Sequence, residues 1–173
     1  AYSIHENLGD KEWARKMYEK AIERGDSFEC GMIANDIYGM LGDKEWATRL
    51  YKKAEKKAED SSDLFPLADC IQEKLGDKDW AKKIYKKAEK KVEDSSGLSS
   101  LADCLFELGD KEWATRLYKK AEGKAETSSD FSDLAYSIHE NLGDKEWAKN
   151  MYEKAMEVAK DNEEDEIEAI KEA

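Results

Sequence analysis

A chain of 173 residues, 40% charged and 40% hydrophobic with a mean hydropathy of -0.90, has room for one ordinary domain or one short repeat array. Its five Trp, eight Tyr and four Phe exclude a disordered acidic polymer, ten Gly and a single Pro are too few for the turns of a sandwich or barrel, and no apolar run approaches the roughly 20 residues of a membrane-spanning helix. A net charge of -12 and a pI of about 4.8 argue against general affinity for nucleic acid or an anionic membrane.

The chain repeats itself. The block L-G-D-K-E-W-A begins at Leu8, Leu41, Leu108 and Leu142, and L-G-D-K-D-W-A begins at Leu75. Trp13, Trp46, Trp80, Trp113 and Trp147 are therefore spaced by 33, 34, 33 and 34 residues, and residues 1–14 are identical to residues 135–148. Units of about 1–26, 27–60, 61–94, 95–127 and 128–160 follow, with an acidic segment at 161–173. Ala1 falls in the middle of a first helix, so the first unit reads as an incomplete repeat whose start has been trimmed.

Each unit predicts two helices, A and B. In the third, Leu64, Leu67, Ala68, Ile71 and Leu75 recur at helical spacing, with Ser62 or Asp63 as N-cap and Pro66 in the first turn. Gly76 suits the left-handed residue past the helix end and Asp77 caps the next helix, which makes Gly-Asp a tight turn between antiparallel helices. Helix B presents Ala81, Tyr85, Ala88 and Val92 as one stripe, with Trp80 and Ile84 roughly 100° round from it. The segments Asp60–Asp63 and Thr127–Asp130 are expected to be turns between units. A lone hairpin cannot bury both stripes, so the units must stack.

These residues resemble a tetratricopeptide repeat. The large–small pair is Leu67 and Ala68, and the small–x3–aromatic–x2–Ala signature of helix B is Ala81, Tyr85 and Ala88. It recurs as Ala14, Tyr18 and Ala21; Ala47, Tyr51 and Ala54; Ala114, Tyr118 and Ala121; and Ala148, Tyr152 and Ala155. Ala stands for the usual Gly in helix A, no Pro ends helix B, and Ala68 to Gly76 is one residue longer than the family spacing, which Ala102 to Gly109 keeps. The resemblance implies an all-α, right-handed solenoid whose helix A residues line a concave groove.

Two readings of the Trp series compete, exposed stacking platforms or packing between repeats. Packing is favoured by the aliphatic residue four places on, and it puts the cost of Trp80→Ala at about 3–5 kcal/mol. Cys30 shares a core position with Leu64, Leu98 and Phe131, whereas Cys70 and Cys104 occupy the helix A position where the first and fifth units have Ser3 and Ser137. Three cysteines without a C-x-x-C pair indicate neither a disulfide framework nor a zinc site, and unpaired thiols favour a reducing, cytoplasmic compartment. No nucleophile–base pair, phosphate loop or metal-ligand spacing is present, so neither enzymatic activity nor a cofactor is expected.

On the helix A face, Tyr2 and His5 correspond to Tyr136 and His139, to Asn35 and Tyr38, to Asp69 and Gln72, and to Asp103 and Phe106. Polar and aromatic residues mixed in this way suit a groove for a protein or peptide partner, with a solvated face as the alternative. The leading expectation is a protein–protein interaction scaffold. A subunit that self-assembles or organises a larger complex through its repeat ends is the other. Residues 161–173 hold seven acids and one Lys, suiting a solubilising cap in which Ile167 and Ile170 close the last hairpin; their spacing lacks the pattern of a Ca²⁺ loop.

Overall fold

The structure, a computed structural model, describes the backbone of residues 11–172 and the side chains of residues 13–160. The expectation of an incomplete first helix A falls on residues 1–10, outside the described residues. The chain forms two compact units, residues 1–91 and 92–173. In the first, α1 (Lys11–Arg24) precedes two hairpins, α2 (Ser27–Asp36) with α3 (Lys44–Lys57) and α4 (Ser61–Cys70) with α5 (Lys78–Glu89). In the second, α6 (Ser95–Glu107) pairs with α7 (Lys111–Glu122), and α8 (Ser128–Ser137) pairs with α9 (Lys145–Glu172). Each unit stacks antiparallel hairpins in the manner of an α-solenoid, and no strand occurs among the described residues.

The hairpin turns follow from two residues. Gly42, Gly76, Gly109 and Gly143 take φ values of 66°, 69°, 92° and 67°, a left-handed backbone that a β-carbon would strain. The next residue caps the second helix: Asp43, Asp77, Asp110 and Asp144 each accept the amide of a Trp, at 2.9, 2.9, 3.3 and 3.0 Å.

The connections between hairpins differ from the expectation. Asp60, not Ser62 or Asp63, is the cap of α4 and accepts the Asp63 amide at 3.1 Å, while the Asp63 carboxylate accepts the Glu59 amide at 2.9 Å. Asp-Ser-Ser-Asp is thus a cap followed by the first helical turn, and Pro66 lies in the second turn. Before α8, Thr127 and Asp130 go further and form a full reciprocal capping box, the Asp130 carboxylate accepting the amide of the cap Thr127 itself at 2.9 Å. Val92 lies beyond the end of α5 and does not extend its stripe.

The extra residue between Ala68 and Gly76 is absorbed inside the helix. α2, α4 and α8 each end in a π turn, Ile37–Leu41, Ile71–Leu75 and Ile138–Leu142. In two of them the cap glycine amide reaches four residues back, from Gly76 to Gln72 and from Gly143 to His139. α6, one residue shorter, stays α-helical and closes with paired bonds from Gly109 to Phe106 and from Asp110 to Leu105, each 2.9 Å, a Schellman end. The consequence is local: Leu108 is buried, whereas Leu41, Leu75 and Leu142 are half-exposed.

Alanine rows let the helices approach closely. Ala47, Ala54, Ala81, Ala88, Ala114 and Ala121 are fully buried, as are Tyr51, Tyr85 and Tyr118 between them. Successive second helices are then clipped together. Lys53 donates to the Ile22 carbonyl at 2.7 Å, Lys57 to that of Gly25 and Lys91 to that of Glu59 at 2.5 Å, satisfying carbonyls left open where the previous helix ends. Glu55 of α3 accepts the Trp80 indole N–H at 2.8 Å and the Lys87 ammonium, and Glu122 of α7 accepts Trp147 at 2.9 Å and Lys154 at 2.7 Å. Burial alone would raise both carboxyls. Hydrogen bonds from Lys87 and Trp80, and from Lys154 and Trp147, bring them below the usual carboxylate range instead.

Trp46, Trp80 and Trp147 therefore pack between repeats, though unevenly. Trp46 meets Tyr18 edge-on at 6.4 Å between ring centres and lies under the Arg15 guanidinium at 4.8 Å. It is 8% exposed, against 43% for Trp13, and Trp80 is half-buried. Trp46→Ala should cost about 3–5 kcal/mol in chemical denaturation and Trp80→Ala less; a larger loss at Trp80 would reverse this ranking. Deleting Glu73 should convert the second π turn to an α6-type end, keeping one cooperative melting transition at an undiminished temperature. A broad or lowered transition would show that the π turn is required.

Candidate functional site on the helix A face

The sequence places candidate partner residues on the first helix of each hairpin, and the structure sorts them into two kinds. Asn35, Asp69 and Asp103 are half-buried acceptors for the tyrosine of their own second helix. The Tyr51 hydroxyl donates to Asn35 Oδ1 at 2.6 Å, Tyr85 to Asp69, and Tyr118 to Asp103 at 2.5 Å. Asn35 also donates to Cys70 Sγ at 3.1 Å. Around Asp103 the Ser137 hydroxyl at 3.3 Å and the Asn141 amide at 2.8 Å complete a network. A tyrosine buried in an apolar stack needs such an acceptor for its hydroxyl.

Burial pushes the Asp69 and Asp103 carboxyls above the ordinary aspartate range. Donation from Tyr85 to Asp69, and from Tyr118, Ser137 and Asn141 to Asp103, offsets only part of this. Burial likewise raises Tyr51 and Tyr118, the latter reinforced by its bond to Asp103. Burial also raises the Cys30 thiol, which is buried, whereas Cys70 and Cys104 are half-buried.

The remaining candidates are more open. Tyr38 and Gln72 are half-buried on the π turns, and Phe106 lies under the Lys111 ammonium at 5.2 Å. Tyr136 is 62% exposed, and His139 on the third π turn meets Glu140 at 3.0 Å. Tyr2 and His5 lie outside the described residues.

The sequence reading missed Phe28 and Met32, which are 57% and 54% exposed on α2. With Asn35 they follow the i, i+4, i+7 spacing of one helix face, a signal that was available but not followed back towards the N-terminus. They line a cavity of about 50 Å³ between α2 and α4, together with Gly31, Pro66, Leu67 and Cys70. The equivalent positions in the second unit are Ser96, Ser100, Ser129 and Asp133, so its corresponding face is polar.

A carboxyl raised by folding stabilises the fold below its unfolded pKa and loses that contribution as pH rises through its folded value. Asp69→Asn keeps an acceptor for Tyr85, as Asn35 does for Tyr51, and removes the charge. Its melting temperature should exceed that of the parent at pH 7, with the advantage fading as pH falls through the raised folded value and gone below the unfolded value of about 4. A lower melting temperature at pH 7 would contradict the burial-driven shift.

A family model described as "Tetratricopeptide repeat" matches residues 3–24 and 134–162. Among solved structures, the crystal structure of MamA is similar at 15% identity and a TM-score of 0.48, covering 91% of this chain and 98% of that one. No curated protein matches the chain. The repeated Gly-Asp turn, the Ala–Tyr–Ala packing of each second helix and the family-model match agree: the chain is a helical repeat protein whose units are similar to tetratricopeptide repeats.

Proposed function

We propose that the protein is an interaction scaffold and that the helix A face of its first unit binds a peptide segment of a protein partner. The observation that carries this reading is the exposed Phe28–Met32 pair beside half-buried Asn35, Tyr38, Asp69 and Gln72. Two large apolar side chains left in water on a face that otherwise bears hydrogen-bonding groups offer an anchor and a polar rim. The occupant that suits them presents an apolar side chain to Phe28 and Met32 and backbone groups to the amide of Gln72. In the second unit, Asp103 is committed to its own network, so Tyr136, His139 and Phe106 remain as the accessible candidates there.

Peptides selected from a random library against the full chain provide the test. Phe28→Ser with Met32→Ser, and separately Tyr38→Ala with Gln72→Ala, should each weaken binding at least tenfold, about 1.4 kcal/mol, while melting as cooperatively as the parent. Undiminished affinity in both double variants would reject this face as the site.

A further inference from the structure

The first unit carries a second surface, to which none of the proposed partner residues of the helix A face contributes. Between α3 and α5 lies an open cleft of about 710 Å³, bordered by Lys44, Lys52, Lys56, Lys83 and Lys87. Against these five lysines the lining has two acids, Glu55 and Asp77, a local net of +3 on a chain whose total is -12. The Glu55–Trp80–Lys87 clip holds the two helices together, and Lys52 lies 5.9 Å from the Trp80 ring centre. Lys44, Lys56 and Lys83 are exposed and make no ion pair among the described residues. Half-exposed Leu75 and Trp80 add apolar surface to the lining.

The second unit builds the same clip from Glu122, Trp147 and Lys154, but its cleft of about 300 Å³ has the opposite sign. Asn150, Glu153 and Glu157 stand where the first unit has Lys83, Lys86 and Lys90. Its lining therefore holds Glu122, Glu153 and Glu157 against Lys154. Of the five cleft lysines, Lys44, Lys52 and Lys87 recur in the second unit as Lys111, Lys119 and Lys154, whereas Lys56 and Lys83 give way to Gly123 and Asn150, so the clip itself does not require the last two.

α9 supplies an acidic segment of matching length. Val158 corresponds to Lys57, the last residue of α3, yet α9 continues to Glu172. The 14 residues beyond Val158 extend about 21 Å, and the lysine row from Lys44 to Lys56 runs about 18 Å. Residues 161–173 carry a net charge of -6, with Ile167 and Ile170 among the acids.

We infer that the lysine cleft between α3 and α5 receives the acidic end of α9 from a second copy of this chain. The contact is head-to-tail, so a pair of copies keeps one free cleft and one free helix end, and assembly proceeds as an open chain or a closed ring. It uses the outer helix faces and is independent of both the helix A face and stacking through repeat ends. At about 0.1 M salt, where the Debye length is about 10 Å, repulsion between the acidic bodies is screened while contact pairs persist; at 1 M, with a length of about 3 Å, the pairs weaken too.

Sedimentation velocity of the full chain over a wide concentration range tests this. The weight-average sedimentation coefficient should rise with concentration at about 0.1 M salt and fall back to the monomer value at about 1 M. Lys44→Glu, Lys56→Glu and Lys83→Glu together should give a monomer of unchanged helicity and melting temperature. Adding Glu163→Lys, Glu164→Lys, Glu166→Lys and Glu168→Lys to that variant should restore association. A parent chain that stays monomeric at both salt concentrations, a lysine variant that associates like the parent, or a doubly reversed variant that stays monomeric would overturn the proposal. The Phe28→Ser, Met32→Ser variant should associate normally, which separates this contact from the helix A face.

Discussion

Two short antiparallel helices expose more apolar surface than they can cover for each other, and within each unit the next hairpin resolves this, its first helix packing on both the first and the second helix of the hairpin before it. Ala47, Ala81 and Ala114 are small enough to admit neighbouring backbones closely, and Tyr51, Tyr85 and Tyr118 fill the layer between them. Polar groups then fasten what the apolar layer brings together. Lysines from one second helix neutralise the open carbonyls of the preceding one, and Glu55 or Glu122 holds the next Trp and Lys. Every surface discussed above hangs from this frame.

Much of the frame was legible. Gly followed by Asp has one economical use between apolar runs, a left-handed residue and then a cap, and Ala–x3–Tyr–x2–Ala reads directly as a packed face. Less visible were effects that depend on partners distant in the chain. Nothing near Asn35 or Asp69 reveals that Tyr51 and Tyr85 will claim them, because the aromatic ring dominates the reading of a tyrosine and its hydroxyl is easily forgotten. Asp60–Asp63 looked like a loop because Ser and Asp are common in loops; the same residues are also the best helix starters, and only the backbone distinguishes the two. Pro66 misled for a related reason, since the first-turn rule is a preference that an exposed second-turn position can override.

The two units show how far chemistry can diverge on one frame. The first presents Phe28 and Met32 on one side and lysines on the other. The second has serines and an aspartate at the Phe28 and Met32 positions, and Gly123 and Asn150 in place of Lys56 and Lys83, while keeping the same turns, the same tyrosines and the same clip. Residues that hold the frame lie at the helix–helix contacts, and residues that differ lie where side chains leave the stack. That separation is what allows a repeat fold to host an interaction surface without endangering its own stability.

The π turns have a consequence for how such an array changes over time. An insertion of one residue in an ordinary helix rotates everything after it by about 100° and would throw the following Gly-Asp corner out of register. Here the slack is taken up within five residues, as Ile71–Leu75 and the shorter end of α6 both deliver their glycine to a left-handed corner. The 33-residue step from Trp80 to Trp113, without a π turn, and the 34-residue step from Trp113 to Trp147, with one, therefore reach the same corner; the 33-residue step from Trp13 to Trp46 keeps its π turn and is shorter instead between Ala21 and Ala34. The helix ends act as expansion joints, and they help explain how near-identical segments can be copied from one position in the array to another.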